Sequence, residues 1–286
     1  MIHVSSGHPK GIGLEIFLKS MFLLTKEELS SITLYTSKNV LEENLALLGL
    51  KHCLVKTVFL ETQNLACDSL ELAIETMNDD DILVTLPTSK DTLSWKGTNT
   101  KGYTEYFRKR FNKELTMCFL DDDSLNVLLT DHIPLSQVTD NLSLDVINTK
   151  IDLALTTAKR VGFNVNELLF SGINPHAGEN GLLGTDEEVL KEYIKSTNSK
   201  LPIFGPYPAD TIFNMYRPNQ LRIFSYHDQG LTLFKQKNLL MGINITCGLP
   251  FLRFSVDHGT AFDLYGKNKA NPMGIYYVLK KALTLG

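Results

Sequence analysis

Residues 1–36 read MIHVSSGHPKGIGLEIFLKSMFLLTKEELSSITLYT. Ile2–Ser5 is a short apolar run with the look of a strand. Gly7-His8-Pro9-Lys10-Gly11-Ile12-Gly13 then makes a glycine turn, and the chain continues as a helix from about Gly13 to Leu24. Ser31–Thr36 is a second strand. Outward from this unit the same rhythm repeats, with a helix near Val40–Leu48, a strand at Leu54–Phe59, a helix near Ser69–Met77 and a strand at Asp81–Leu86. Strands alternating with helices predict an α/β fold with a largely parallel sheet.

Further along, Thr88–Lys101 is polar and is expected to be a loop, and Gly102–Glu114 reads as a helix. Met117–Leu120 and Leu125–Leu129 are strands around the acidic turn Asp121-Asp122-Asp123. Leu144–Val161 is a helix, Glu167–Phe170 a strand, and Asp186–Lys195 a helix with Thr185 as its expected N-cap. Leu221–Ser225 and Gly242–Thr246 are strands, and Pro272–Leu283 is a closing helix with proline near its start.

A chain of 286 residues is one large domain or two ordinary ones. Its 43% hydrophobic and 21% charged residues exclude a disordered chain, a collagen-like fibre and a coiled coil. The net charge of −4 supplies no positive field for nucleic acid or an anionic membrane. Apolar runs fall well short of the roughly 20 residues a membrane span requires, and the start of the sequence lacks the basic and apolar regions of a signal peptide. Cys53, Cys67, Cys118 and Cys247 form no CxxC pair and read as buried free thiols. The expectation is a cytoplasmic soluble protein whose partner is neither nucleic acid nor membrane.

Three histidines follow short apolar strands in small polar turns. They are His132 after Val127-Leu128-Leu129-Thr130-Asp131, His176 after Leu168-Leu169-Phe170-Ser171-Gly172-Ile173-Asn174-Pro175, and His227 after Ile223-Phe224-Ser225-Tyr226. Ligands of open α/β sheets bind beyond the carboxyl ends of the strands. Three imidazoles there could converge on one metal ion with open positions, or be unrelated loop residues. Asp131 and Asp228 could orient the adjacent rings or cap the following helices. The glycine turn lacks the spacing of a nucleotide fingerprint; its amides could bind an anion or simply make a tight turn. Asn244, Arg253 and Lys235 bracket a Gly-Leu-Pro turn and, with Asp210, offer cations and hydrogen bonds to a phosphorylated acid.

Taken in order, Asn174-Pro175-His176-Ala177-Gly178-Glu179, Pro208-Ala209-Asp210-Thr211, Tyr226-His227-Asp228-Gln229-Gly230, Asn244-Ile245-Thr246, Gly248-Leu249-Pro250-Phe251-Leu252-Arg253 and Ser255-Val256-Asp257-His258-Gly259-Thr260-Ala261 resemble the 4-hydroxythreonine-4-phosphate dehydrogenase family over nearly the whole chain. The resemblance implies a fold like isocitrate and isopropylmalate dehydrogenases, with two α/β lobes and a cleft between them. The first lobe would be residues 1–100 plus 236–286, on the cofactor side. The second would be residues 101–235, with the metal ligands and a homodimer interface that shares the active site.

The resemblance also assigns roles. His132, His176 and His227 would bind one divalent ion (Zn, Mg, Mn or Co). Tyr103, Thr104, Lys235, Asn244 and Arg253 would contact substrate, with Asp210 and Lys90 as further catalytic or substrate-binding candidates. Gly11, Gly13, His258, Gly259, Thr260 and Asn271 would hold NAD or NADP. The implied reaction is metal-dependent oxidation of 4-phosphohydroxy-L-threonine at C3, then decarboxylation to 3-amino-2-oxopropyl phosphate, in pyridoxal phosphate biosynthesis. The sequence departs from the family at Tyr103, where the pattern has histidine, and at His8, where it has an acid. These departures motivate a sibling substrate, phosphothreonate or phosphoerythronate. A metal-dependent hydrolase using the same histidines is the alternative from another class.

Overall fold

The computed structural model describes residues 1–286. The chain forms two compact units. The first comprises Met1–Lys113, Ile243–Ile245 and Leu249–Gly286, and the second Glu114–Gly242 and Thr246–Gly248.

In chain order the first unit begins with β1 (Ile2–Ser5), α1 (Gly13–Ser20), α2 (Lys26–Ser30), β2 (Ile32–Thr36), α3 (Lys38–Leu48), β3 (Lys56–Phe59), α4 (Leu65–Thr76), β4 (Ile82–Thr85), the short strands β5 (Ser94–Trp95) and β6 (Thr98–Asn99), and α5 (Tyr103–Phe111). The second carries β7 (Thr116–Leu120), β8 (Ser124–Leu128), α6 (Leu144–Arg160), β9 (Glu167–Ser171), α7 (Glu188–Ser196), β10 (Ile203–Tyr207), β11 (Gln220–Phe224) and α8 (His227–Asn238). Strand β12 (Ile243–Cys247) passes from the first unit to the second, and β13 (Leu252–Val256) and α9 (Met273–Leu283) complete the first.

The strand order in the first unit is β12-β13-β4-β1-β2-β3, parallel except for β12 against β13. Strands β1 and β4 are buried throughout, as the near-continuous Ile/Val/Leu runs of a parallel sheet covered on both faces should be. Helix α4 packs on β1 and β2, and α9 on β13 and α1. The second unit orders its strands β10-β9-β11-β8-β7, parallel except for the β7–β8 hairpin around Asp121. The α/β class and the mostly parallel pairing agree with the sequence reading.

Several boundaries differ from it. Helix α5 belongs to the first unit, because Tyr106 and Phe107 are fully buried there and the Tyr106 hydroxyl and the Arg110 guanidinium share Glu71 of α4. Residues 236–242 stay with the second unit, since they finish α8 and its exit. The 88–101 loop contains the β5–β6 hairpin. Strands β10 and β13 and helices α2 and α8 arise where none was expected; His227 starts α8 at once instead of lying in a turn. The residue before α7 is Glu187 and not Thr185, and its side chain turns inward to backbone amides elsewhere. Cys53 is only half-buried, while Cys67, Cys118 and Cys247 are buried and all four are free thiols.

Candidate functional site

In the second unit β8 and β11 are parallel neighbours in register from Ser124/Gln220 to Leu128/Phe224. Both chains therefore leave the sheet side by side. The exits are tied together: Leu129 N donates to Phe224 O at 2.8 Å, and Thr130 bonds Ser225 O through its amide at 3.1 Å and its hydroxyl at 2.6 Å. His132 and His227 follow directly, and their ring centroids lie 5.4 Å apart. Two imidazoles that bind one ion tetrahedrally through nitrogens at about 2.1 Å have ring centres roughly 5 Å apart, a separation close to the one here. Asp228 Oδ1 lies 2.7 Å from His227 Nδ1, a contact that orients the ring and, with Nδ1 donating, leaves the Nε2 lone pair to bind an ion. Asp228 thus orients its neighbour, whereas Asp131 Oδ1 accepts the His132 amide at 2.9 Å and shapes the turn.

His176 lies beyond the carboxyl end of β9, the other neighbour of β11. It is exposed, begins a left-handed turn with φ of 54°, and has Glu179 Oε2 3.4 Å from its Nδ1. No group of three or more His, Cys, Asp and Glu side chains placed to hold a metal ion forms within the chain, so neither His176 nor Asp210 completes a three-ligand set with the pair. Gln229, given no role of its own in the sequence reading, links the β9 and β11 exits. Its Oε1 accepts from Ser225 N at 2.9 Å and its Nε2 donates to Gly172 O at 2.6 Å. Gly230 lets α8 approach the sheet, since a Cβ there would stand 2.8 Å from a Phe224 ring carbon and 3.1 Å from Leu128. Lys235 and Asp210 are exposed, on α8 and after β10.

The first unit gathers a different set around the end of β4 and the starts of β13 and α5. Arg253 on β13 is 1% exposed. Its Nε donates to Thr85 Oγ1 at 3.1 Å, and its guanidinium carbon lies 4.7 Å from the centre of the Tyr103 ring. The Tyr103 hydroxyl donates to Leu86 O at 2.8 Å. Burial pulls the Arg253 guanidinium down to about 10 and pushes the Tyr103 phenol up to about 12. A buried cation held by a hydroxyl and an aromatic face is suited to a small anion. Asn244 Oδ1 on β12 is buried with no hydrogen-bond partner. Thr104 is buried at the start of α5, and Lys90 is exposed in the loop after β4. The sequence named Arg253 and Tyr103 but missed Thr85, whose only signal was its place at the end of a buried strand.

The glycine turn and the 257–262 segment lie at the carboxyl ends of β1 and β13 and meet. Ile12 N donates to Thr260 O at 3.0 Å, and Gly11 approaches Thr260 closely enough that a Cβ would stand 3.3 Å away. Gly7, with φ of 66°, packs against the Pro87 and Leu86 carbonyls and has no room for a side chain. Gly13 is buried at the first turn of α1. His8 stacks edge-on against Phe262 at 4.8 Å, and burial lowers its imidazole pKa. His258 Nδ1 lies 3.0 Å from the Gly259 carbonyl, and Asn271 Oδ1 accepts at 3.0 Å from the amide of Met273, the first residue of α9.

Two α/β units, with histidines beyond the carboxyl ends of β8, β9 and β11 and a glycine turn beyond β1, have the architecture of α/β proteins that bind ligands at strand exits. The chain belongs to the PdxA family, described as pyridoxal phosphate biosynthetic protein PdxA, whose model matches residues 13–282. It is 36% identical over 208 residues to D-threonate 4-phosphate dehydrogenase of Pectobacterium atrosepticum, covering 71% of this chain and 64% of that protein. It is 31% identical over 313 aligned positions to 4-hydroxythreonine-4-phosphate dehydrogenase of a Sulfurihydrogenibium species, covering 99% of this chain and 97% of that protein. The chain thus spans just under two thirds of the first relative's length and nearly all of the second's. The crystal structure of 4-hydroxythreonine-4-phosphate dehydrogenase from Klebsiella pneumoniae is 27% identical, with a TM-score of 0.80 over 100% of this chain and 99% of that one. A β-decarboxylating dehydrogenase from Thermococcus kodakarensis, 13% identical, shares the fold alone at a TM-score of 0.50 over 99% of this chain and 82% of that one.

Proposed function

We propose that the chain is a metal-dependent NAD(P) dehydrogenase that oxidises 4-phosphohydroxy-L-threonine at C3, followed by decarboxylation to 3-amino-2-oxopropyl phosphate in pyridoxal phosphate biosynthesis. The observation that carries this reading is the His132–His227 pair, 5.4 Å apart at neighbouring strand ends, in a member of the PdxA family. His132 and His227 would hold the divalent ion, with His176 as the third ligand. When bound, the ion supplies Lewis acidity that lowers the pKa of a coordinated hydroxyl. A homodimer that shares the site is part of the reading, because two imidazoles meet within one chain whereas catalytic metals commonly take three protein ligands.

The chain's own residues do the rest. In the first unit Arg253, set against Thr85 and Tyr103, binds the carboxylate or phosphate, and the buried Asn244 oxygen accepts a substrate N–H or O–H. Thr104 lines the same unit, and Gly11, Gly13, His258, Gly259, Thr260 and Asn271 form the candidate surface for the nicotinamide nucleotide. In the second unit Lys235 is the candidate cation, with Asp210 there and Lys90 in the first unit as candidate proton acceptors.

A second substrate reading, threonate 4-phosphate, is favoured by Tyr103. Its hydroxyl is spent on the Leu86 carbonyl and its ring on Arg253, so the position offers no imidazole to the substrate. The D-threonate 4-phosphate dehydrogenase relative points the same way. Steady-state reduction of NAD+ and NADP+ with each substrate, with and without Zn2+, Mg2+ or Mn2+, tests both. Metal-dependent turnover lost in His176→Ala is the expected result. Inactivity of folded, metal-loaded protein on both substrates would defeat both readings.

A further inference from the structure

The segment that carries His176 is gripped from behind by a carboxylate outside the chemistry described so far. Glu187 precedes α7 and is 0% exposed. Its Oε1 accepts the backbone amides of Ile173, at 2.9 Å, and of Asn174, and its Oε2 accepts from Asn174 Nδ2 at 3.0 Å. Asp186 takes the same Nδ2 at 2.7 Å. Beyond Pro175 the backbone enters five consecutive left-handed residues, from His176 to Asn180, with φ between 41° and 75°. Four of the five are not glycine. Side chains resist this conformation at every residue, so such a run persists only where its surroundings over-determine it.

Glu187 supplies that constraint. Its Oε2 lies so close to Gly178 that a Cβ there would meet it at 2.5 Å. A buried carboxylate surrounded by three N–H donors also has its own desolvation met, so removing either side leaves unsatisfied buried groups. Gln229 fixes the near end of the segment through Gly172 O, and Gly172 N donates to Tyr207 O at 2.7 Å.

We propose that Glu187 is the positioning residue for His176: its carboxylate sets the left-handed turn that presents the imidazole before any metal arrives. The inference rests on the reading of His176 as a metal ligand. Glu187→Gln is the informative change, because it keeps the shape but turns an NH2 group toward donors that now find an acceptor.

The test is Zn2+ affinity of metal-stripped protein, by competition with a chromophoric chelator, together with hydrogen exchange of residues 172–181. Loss of a residue that orients a metal ligand typically weakens binding about 10- to 100-fold. Glu187→Gln is expected to lose that much and to exchange its Ile173 and Asn174 amides faster. In the His176→Ala background the same change should cost nothing more, since coupled sites are non-additive. Wild-type Zn2+ affinity in Glu187→Gln, or an undiminished further loss in the double variant, overturns the proposal. Wild-type Zn2+ affinity in His176→Ala defeats the metal reading instead, and with it Glu187's role toward the metal. Should Glu187→Gln not fold, Asn174→Ala removes the side-chain half of the same grip and is held to the same outcomes.

Discussion

At the scale of single residues, burial shapes Arg253, the proposed anion-binding group. Its guanidinium is fully enclosed, donates to Thr85 and rests on the Tyr103 ring. Lysine keeps the charge but not the planar fork or the stacking. Arg253→Lys is therefore expected to raise KM about 10- to 100-fold, the worth of hydrogen bonds to a charged group, in a steady-state assay; an unchanged KM would remove Arg253 from the substrate's contacts. His3 makes a pH prediction. It is buried, with Nδ1 2.7 Å from the Tyr35 hydroxyl and Nε2 3.2 Å from Asp81, and burial holds its pKa below the ordinary imidazole value. The unfolded chain therefore binds a proton that the folded chain resists. The stability His3 contributes is fully present above about pH 6.5 and declines as pH falls below it. Thermal melts at pH 7.5 and 5.5 should show a larger drop for wild type than for His3→Gln; equal drops would mean that His3 does not titrate on unfolding.

At the scale of elements, α8 is the most informative. A methyl at Gly230 would collide with Phe224 and Leu128, so Gly230→Ala must push the helix outward. The expected cost is about 1–3 kcal/mol of stability, seen in chemical denaturation, with weaker Zn2+ binding because His227 is the first residue of the same helix. Unchanged stability would show that the ring can swing aside. The helix also shows where the sequence is mute. Its N-cap, Tyr226, makes no side-chain capping bond, and its first residues are histidine, aspartate, glutamine and glycine, so no start signal precedes it. Strand β10 contains Gly205-Pro206 and β13 begins just after a Gly-Leu-Pro turn, both of which read as loop. The buried strands of the first unit, by contrast, announce themselves as apolar runs. For the candidate site, the strand-then-histidine pattern located His132 and His227 because local sequence encodes strand exits. The strand order that makes those exits neighbours is a long-range property. Glu187 carries no local signal of its role for the same reason: its amide partners lie 13 and 14 positions earlier.

At the scale of the whole molecule, ligand linkage supplies a further check. An ion that binds only the folded chain stabilises it by about 2.7 kcal/mol at 100 times its Kd. Zn2+ should raise the melting temperature of metal-stripped protein, and His132→Ala and His227→Ala should abolish the rise; a rise that survives both would place the ion elsewhere. No helix is long and apolar enough to cross a membrane. The division of the chain has its own consequence. The first unit is written in three pieces, Met1–Lys113, Ile243–Ile245 and Leu249–Gly286, whereas all of the second but Thr246–Gly248 lies between the first two. At elongation rates of about 5–20 residues per second, roughly 6 to 26 seconds separate the first two pieces on the ribosome. Through that interval β4 has β1 on one side and waits for β13 on the other, so the half of the protein translated first is the half completed last.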